Sequence, residues 1–133
     1  DYQQFFLVKK FISKKYTTQV YACRTIRSLN GIALSSRNKL LKKTDLKTSG
    51  LIAKKLLKLK RSLYKKNGFD TIGPTKIKEL IQKTKKKLTN EFDIKIEYLE
   101  CRNLMNLSTN LNNKPFKLFL SYYLKNVRLI DNF

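Results

Sequence analysis

The sequence predicts an α/β chain in two parts. Residues 1–43 read as the C-terminal end of a parallel α/β domain. Residues 44–133 read as a small α+β unit of two helices and a three-stranded antiparallel sheet. Three observations predict this. A helix, a strand and a polar loop follow one another over the first 40 residues or so, as in the last crossover of a parallel sheet. Two long helical stripes come next. After Asn90 the apolar period changes from helical to alternating, as strands require.

Residues 3–13 form the first predicted helix, with Phe5, Val8, Phe11 and Ile12 on one face and Lys9, Lys10, Lys14 and Lys15 at its edge and end. Lysines in a last turn complement the negative end of the helix dipole. A short strand is expected at Gln19–Ala22, within Thr18 to Cys23, followed by a loop region to Asn38. From Thr48 to Lys66, Ile52, Leu56, Leu59 and Leu63 recur at i, i+4, i+7 and i+11, a single apolar stripe. Gly68 suits a helix stop, and Pro74 suits the first turn of the next helix. In that helix Ile77, Leu80, Ile81, Thr84 and Leu88 face one way, and Lys76, Lys78, Lys83, Lys85, Lys86 and Lys87 mostly face the other. Ile94, Ile96 and Tyr98 then alternate with Lys95, Glu97 and Leu99. Phe116–Ser121 and Val127–Ile130 supply two further strands, and residues 106–114 a polar loop.

The chain carries 30 Lys and Arg against 9 Asp and Glu, a formal charge of +21, and no histidine. Such a balance is the footprint of a nucleic-acid binder, so a small RNA- or ribosome-associated protein is the rival reading. Two features weigh against it. Lysine dominates over arginine, the usual reader of bases and phosphates. The lysines also fall mainly on the polar faces of two helices, where solvated charge belongs. Cys23 and Cys101 stand far apart and make no C-x-x-C, so both read as small core hydrophobes in a reducing compartment. A zinc site needs more ligands than these. No apolar run approaches the roughly 18 residues of a membrane span.

The most informative stretch is Gly31-Ile32-Ala33-Leu34-Ser35-Ser36-Arg37-Asn38. Hydroxyls, an amide and a guanidinium crowd behind one glycine. Serine-rich loops usually only make turns, but this set can also wrap polyphosphate oxygens, with the arginine adding a fixed fork of charged donors. Two other segments join it: Asp1-Tyr2-Gln3-Gln4 at the start and Val127-Arg128-Leu129-Ile130-Asp131-Asn132 at the end.

With Thr25-Ile26-Arg27, these segments resemble the pantothenate synthetase (pantoate-β-alanine ligase) family. That family has Gly-x-Lys-Asp-Tyr-Gln-Gln, then Thr-Val-Arg, then Asp-Gly-Leu-Ala-Met-Ser-Ser-Arg-Asn, and closes on Thr-Arg-Leu-Ile-Asp-Asn. The order matches along the full chain, which looks like the back half of the enzyme. The resemblance implies that residues 1–43 are the tail of a Rossmann-like ATP- and pantoate-binding domain, and that residues 44–133 are a C-terminal lid domain. The family's His-x-Gly-His motif and the lysine before Asp1 are absent, so this piece alone is expected to be inactive, with no catalytic histidine of its own.

The resemblance implies a cytoplasmic ligase that condenses pantoate with β-alanine through a pantoyl adenylate, releasing pyrophosphate and AMP. ATP is a substrate. Mg2+ is expected, with its ligands outside this chain, and a homodimer is expected to form through the N-terminal half. Gln4 corresponds to the pantoate-binding glutamine, and an exposed first-turn residue is its plainer reading. Asp1, Ile26, Leu34, Ser35, Ser36 and Arg37 correspond to ATP-binding positions, with Arg37 the phosphate-clamp candidate. Asp1 also reads as a helix N-cap with Gln4 at N3, half of a capping box. Ile26 stands at a valine position that meets adenine through the backbone, and Leu34 replaces methionine, a volume-conserving exchange. Arg24 stands where many members have proline. Arg128 and Asp131 read either as a structural ion pair or as ligand contacts, and both are left out of the site.

Overall fold

The computed structural model describes residues 1–64, 72–111 and 115–133. Its elements are α1 (Tyr2–Lys15), a short 3-10 helix (Ser36–Leu40), α2 (Lys43–Ser62), α3 (Pro74–Phe92), β1 (Lys95–Asn103), β2 (Phe116–Leu124) and β3 (Val127–Asn132). The strands form one antiparallel sheet in the order β1-β2-β3. The expected unit of two helices and three strands is present. The expected stop at Gly68 and positions 112–114 of the polar loop lie outside the described residues.

Asp1 caps α1: its Oδ1 accepts from the Gln3 N–H at 2.9 Å and the Gln4 N–H at 3.3 Å. Helix α1 buries no residue, and Leu7, Val8 and Phe11 stand open. The lysines cover part of its apolar face, Lys9 lying over the Phe5 ring and Lys15 over Phe11. Tyr2 anchors the helix start against Phe119 of β2, with ring centroids 6.2 Å apart.

The strand expected at Thr18 to Cys23 does not form. These residues join no ladder, and Tyr21 is 79% exposed. Alternation makes a segment fit a sheet, but a strand exists only when a neighbour takes its N–H and C=O groups. Among the described residues no strand lies beside this one. Cys23 is accordingly exposed and not the core hydrophobe expected, whereas Cys101 is buried and its thiol is pushed up to about 12 by that burial.

Helix α2 begins at Lys43, five residues before the expected start at Thr48, where Asp45 caps it, its Oδ2 accepting from the Lys42 N–H. Ile52, Leu56, Leu59 and Leu63 are all buried, as their spacing requires. Pro74 opens α3, whose last turn closes on Asp93 in the left-handed region, φ 47°. Ile77, Ile81 and Leu88 meet the α2 stripe and the helix-facing side of the sheet, where Leu118, Leu120, Tyr122 and Leu124 of the central strand β2 lie. Phe119 and Ser121 occupy the opposite face of β2, as strand alternation demands.

Strand β1 departs from the alternation expected. The register slips by one residue between Ile96 and Tyr98, placing a bulge at Glu97. An extra residue reverses every side chain beyond it. Leu99, Cys101 and Asn103 therefore take the buried side, and Leu99 rather than Tyr98 shares the core face with Ile96. The Glu97 carboxylate uses the bulge to accept from Ser121 Oγ at 2.5 Å and from Arg128 Nε at 2.7 Å. The serine hydroxyl and the guanidinium hold that carboxyl below its usual range.

Candidate functional site

Between α1 and α2 the chain builds a small hairpin. Arg27 and Ala33 pair as an antiparallel bridge, the Ser28 N–H donates to the Ile32 carbonyl, and the Leu34 N–H donates to the Ile26 carbonyl at 2.9 Å. Gly31 closes the turn at φ +93°, a backbone conformation that glycine adopts without strain. The hairpin is docked at both ends. Asn30 Nδ2 donates to the Leu46 carbonyl in α2, and the Arg27 guanidinium forms a two-pronged pair with Asp131 of β3 at 2.7 and 2.8 Å.

The chain leaves the hairpin through Leu34 and Ser35 into the short 3-10 helix. Ser35 caps that helix, its Oγ accepting from the Arg37 N–H at 3.2 Å. The cap engages a lone pair and leaves the hydroxyl proton free to donate. Asn38 Nδ2 donates back to the Ala33 carbonyl, which ties the helix to the hairpin. The Arg37 side chain is exposed, and its Nη1 donates to the Arg128 carbonyl at 3.4 Å. Among the described residues it meets no carboxylate, so its charge is uncompensated.

A cavity of about 210 Å³ opens under this loop. Asp1, Leu34, Ser35 and Arg37 line it, so the structure brings together four of the residues singled out in the sequence. Ser36, Ile26 and Gln4 do not line it. Ile26 points outward at 71% exposure, and at the start of α1 it is Gln3, not Gln4, that reaches the cavity. Across from the loop stand Ser49, Tyr122 and Asp131, none of which the sequence singled out as a site residue. Burial pushes the Tyr122 phenol up to about 12, so it remains a neutral hydroxyl at physiological pH.

A second hollow of about 580 Å³ lies beside the first and shares Asp1, Thr25, Asn132 and Phe133 with it. Its wall carries Arg24, Arg27, Lys60 and Lys117. Burial and then the nearby charges of Lys60 and Arg27 pull the Lys117 ammonium down from its ordinary value. This second hollow therefore presents a positive wall, which favours anionic ligands.

Arg128 and Asp131 do not pair with each other. Arg128 pairs with Glu97 and Asp131 with Arg27. Arg27 and Asp131 are 104 residues apart, so no local spacing announces their contact. Their only signal in the sequence was membership of two separate short motifs, Thr25-Ile26-Arg27 and Arg128 to Asn132. Among the described residues no three Cys, Asp or Glu side chains converge to hold a metal ion, and no helix is long and apolar enough to cross a membrane.

Residues 1–133 match the family profile described as Pantoate-beta-alanine ligase. The chain is 27% identical to a pantothenate synthetase of Flavobacterium psychrophilum, across 99% of this chain and 45% of the relative. It is 33% identical to one from Francisella tularensis subsp. mediasiatica, across 100% of this chain and 40% of the relative. The pantothenate synthetase of Thermus thermophilus superposes over the whole chain with a TM-score of 0.79 at 22% identity, using 46% of its own length. The Francisella tularensis pantoate-beta-alanine ligase, solved with beta-gamma ATP and beta-alanine, superposes with a TM-score of 0.62 at 29% identity, using 40% of its length. This chain thus spans less than half the length of these relatives, and on the match along all of its residues it belongs to the pantoate-β-alanine ligase family.

Proposed function

We propose that this chain is the C-terminal half of an ATP-dependent ligase that joins pantoate to β-alanine. The pantoate carboxylate attacks the α-phosphate of ATP, forming a carboxyl–phosphate bond as the bond to pyrophosphate breaks. The β-alanine amine then attacks the pantoyl carbonyl, AMP leaves with the carboxyl oxygen, and the amine proton passes to solvent or a base. Neither step needs a covalent enzyme intermediate. Both need reactants held in line and charge neutralised as pyrophosphate departs.

The observation that carries this reading is the position of Arg37. An uncompensated guanidinium sits at the mouth of a cavity beside the Ser35 hydroxyl, with Leu34 and Asp1 on the same wall. Arg37 would clamp the leaving phosphates, with Ser35 and Ser36 donating to their oxygens. The Ile26 carbonyl is taken by the Leu34 N–H, so its own N–H is the backbone group left to meet an adenine ring. The Asp1 carboxylate would take ribose hydroxyls while it caps α1. Gln4, on the outer side of that helix start, would reach pantoate held by the other half of the enzyme. The neighbouring F. tularensis structure, a ligase holding a nucleotide and beta-alanine, supports this choice of substrates.

Residues 44–133 would act as a lid closing over the nucleotide, with residues 1–43 the tail of the Rossmann-like domain. The hairpin's bonds to Leu46 and Asp131 would carry the Ser35–Arg37 loop along with the lid. The described residues do not by themselves fit a metal cage. Mg2+ would enter with the ATP phosphates and would help neutralise their charge. The homodimer the family resemblance implies would pair through the N-terminal half, and ATP-consuming chemistry with unpaired thiols suits the cytoplasm. Pyrophosphate release dependent on both ATP and pantoate, by the full-length protein and not by these 133 residues alone, tests the reading. Turnover by the isolated piece would refute the division of labour.

A further inference from the structure

Arg27, on the wall of the second hollow, makes four hydrogen bonds through its guanidinium. Its Nη1 donates to Asp131 Oδ2 at 2.7 Å and to the Gly31 carbonyl at 2.9 Å. Its Nη2 donates to Asp131 Oδ1 at 2.8 Å and to the Asn132 carbonyl at 2.9 Å. The guanidinium also lies 4.6 Å from the centroid of the Phe133 ring. Asp131 is fixed in turn by the Asn132 N–H, which donates to its Oδ1. The pair is mostly shielded from water, with side-chain exposures of 22% and 11%, so it is far less screened than a surface ion pair.

These four acceptors come from two places only, the turn of the hairpin and the C-terminal strand. Arg27 is also the residue whose backbone bridges Ala33, two residues before Ser35. A change in the side-chain fork is therefore transmitted to the phosphate loop through one short ladder. The only direct hydrogen bond between that loop and β3 among the described residues is the 3.4 Å contact from Arg37 to the Arg128 carbonyl, which is long and exposed. The strong tether is Arg27–Asp131.

We propose that Arg27 and Asp131 are positioning residues for the nucleotide step: their two-pronged pair fixes the Ser35–Arg37 loop against strand β3. This rests on the reading of Arg37 as the phosphate clamp. A planar fork that meets two carboxylate oxygens and two carbonyls cannot be replaced by an ammonium, which keeps the charge and loses the geometry. Displacements of about 1 Å in a reacting group cost on the order of a hundredfold in rate. The positioning role therefore shows in the nucleotide half of the reaction, while pantoate recognition stays as it was.

The experiment compares Arg27→Lys, Asp131→Asn and Arg37→Ala in the full-length ligase, and combines the first two with Arg37→Ala. Each variant is assayed for pyrophosphate release with ATP and pantoate varied separately, and each is melted. Arg27→Lys and Asp131→Asn should each lower kcat/KM for ATP by about tenfold or more and leave KM for pantoate unchanged. In the Arg37→Ala background each should add little, because both act through the clamp already removed. If Arg37→Ala is slow but Arg27→Lys and Asp131→Asn keep normal kcat/KM for ATP, the positioning role is overturned and the clamp stands. Losses that multiply fully with Arg37→Ala, that spread equally to pantoate, or that simply track the melting temperature also overturn it. Wild-type turnover in Arg37→Ala would remove the clamp, and the positioning role with it.

Discussion

Asn30 and Gly50 approach so closely that a β-carbon added to Gly50 would meet the Asn30 carbonyl oxygen and its Cβ at 3.0 Å. Gly50 lies inside α2, where glycine is otherwise unfavourable by about 1 kcal/mol relative to alanine. Here it lets the hairpin lie flat on the helix, so that Asn30 Nδ2 can reach the Leu46 carbonyl. The contact is with backbone as well as side chain, so it cannot be relieved by a rotamer change alone.

Gly50→Ala should therefore destabilise the protein although it improves helix propensity. Overpacking of this kind costs about 1–3 kcal/mol, which outweighs the propensity gain. The expected result is a lowered melting temperature together with a raised KM for ATP in the full-length protein, since the hairpin carries the loop proposed to clamp the phosphates. Alanine raising the melting temperature would show that the hairpin yields freely at this point.

The helix stripe makes a second prediction. Leu56 is fully buried between α2 and the sheet. Leu56→Ala should cost about 2–5 kcal/mol, the transfer of the side chain plus the cavity it leaves. Leu51, half exposed on the same helix, should cost far less when replaced by alanine. Denaturant melts of the two variants compare them directly, and equal losses would contradict the assigned faces.

The charge makes a third. Lys76, Lys78, Lys83, Lys86 and Lys87 of α3 are exposed, while the apolar face of the same helix is buried in the core. Such a field attracts any polyanion through counterion release, without sequence preference and with a steep salt dependence. Filter binding should show weak RNA retention at low salt that vanishes near physiological salt and does not distinguish one RNA from another. Tight, sequence-selective binding at physiological salt would favour the nucleic-acid reading.

Much of the α+β unit was legible because its two helices each bury one face, and because the apolar period changes where the strands begin. The stripe from Ile52 to Leu63 and the proline at position 74 act locally, and local signals survive in sequence. What was not legible depends on partners elsewhere. Residues 18–23 look like a strand yet have no neighbouring strand among the described residues. Glu97 shifts the register of β1 because Ser121 and Arg128 receive its carboxylate, a relationship that spacing along β1 cannot express. In the site, Asp1, Leu34, Ser35 and Arg37 were found through short motifs, and the cavity they line joins them. Arg27 escaped notice as a contact residue because its partner lies at the far end of the chain, and Ser49 and Tyr122 because each reads as an ordinary member of an amphipathic element.

The most direct test of the proposed ligase is Arg37→Ala in the full-length protein, assayed by pyrophosphate release at saturating pantoate and melted in parallel. Arg37 is exposed and removes no core packing, so the melting temperature should hardly move, surface substitutions usually staying within about 0.5 kcal/mol. A charged donor aimed at the departing phosphates is worth roughly 3 kcal/mol in the transition state, so adenylate formation should fall on the order of a hundredfold. Arg37→Lys should recover part of that loss, and Ser36→Ala should cost less, about 1 kcal/mol for one neutral hydrogen bond. Near-normal turnover in Arg37→Ala, or a rate loss that only follows a lowered melting temperature, would contradict the assignment of this loop as the phosphate clamp.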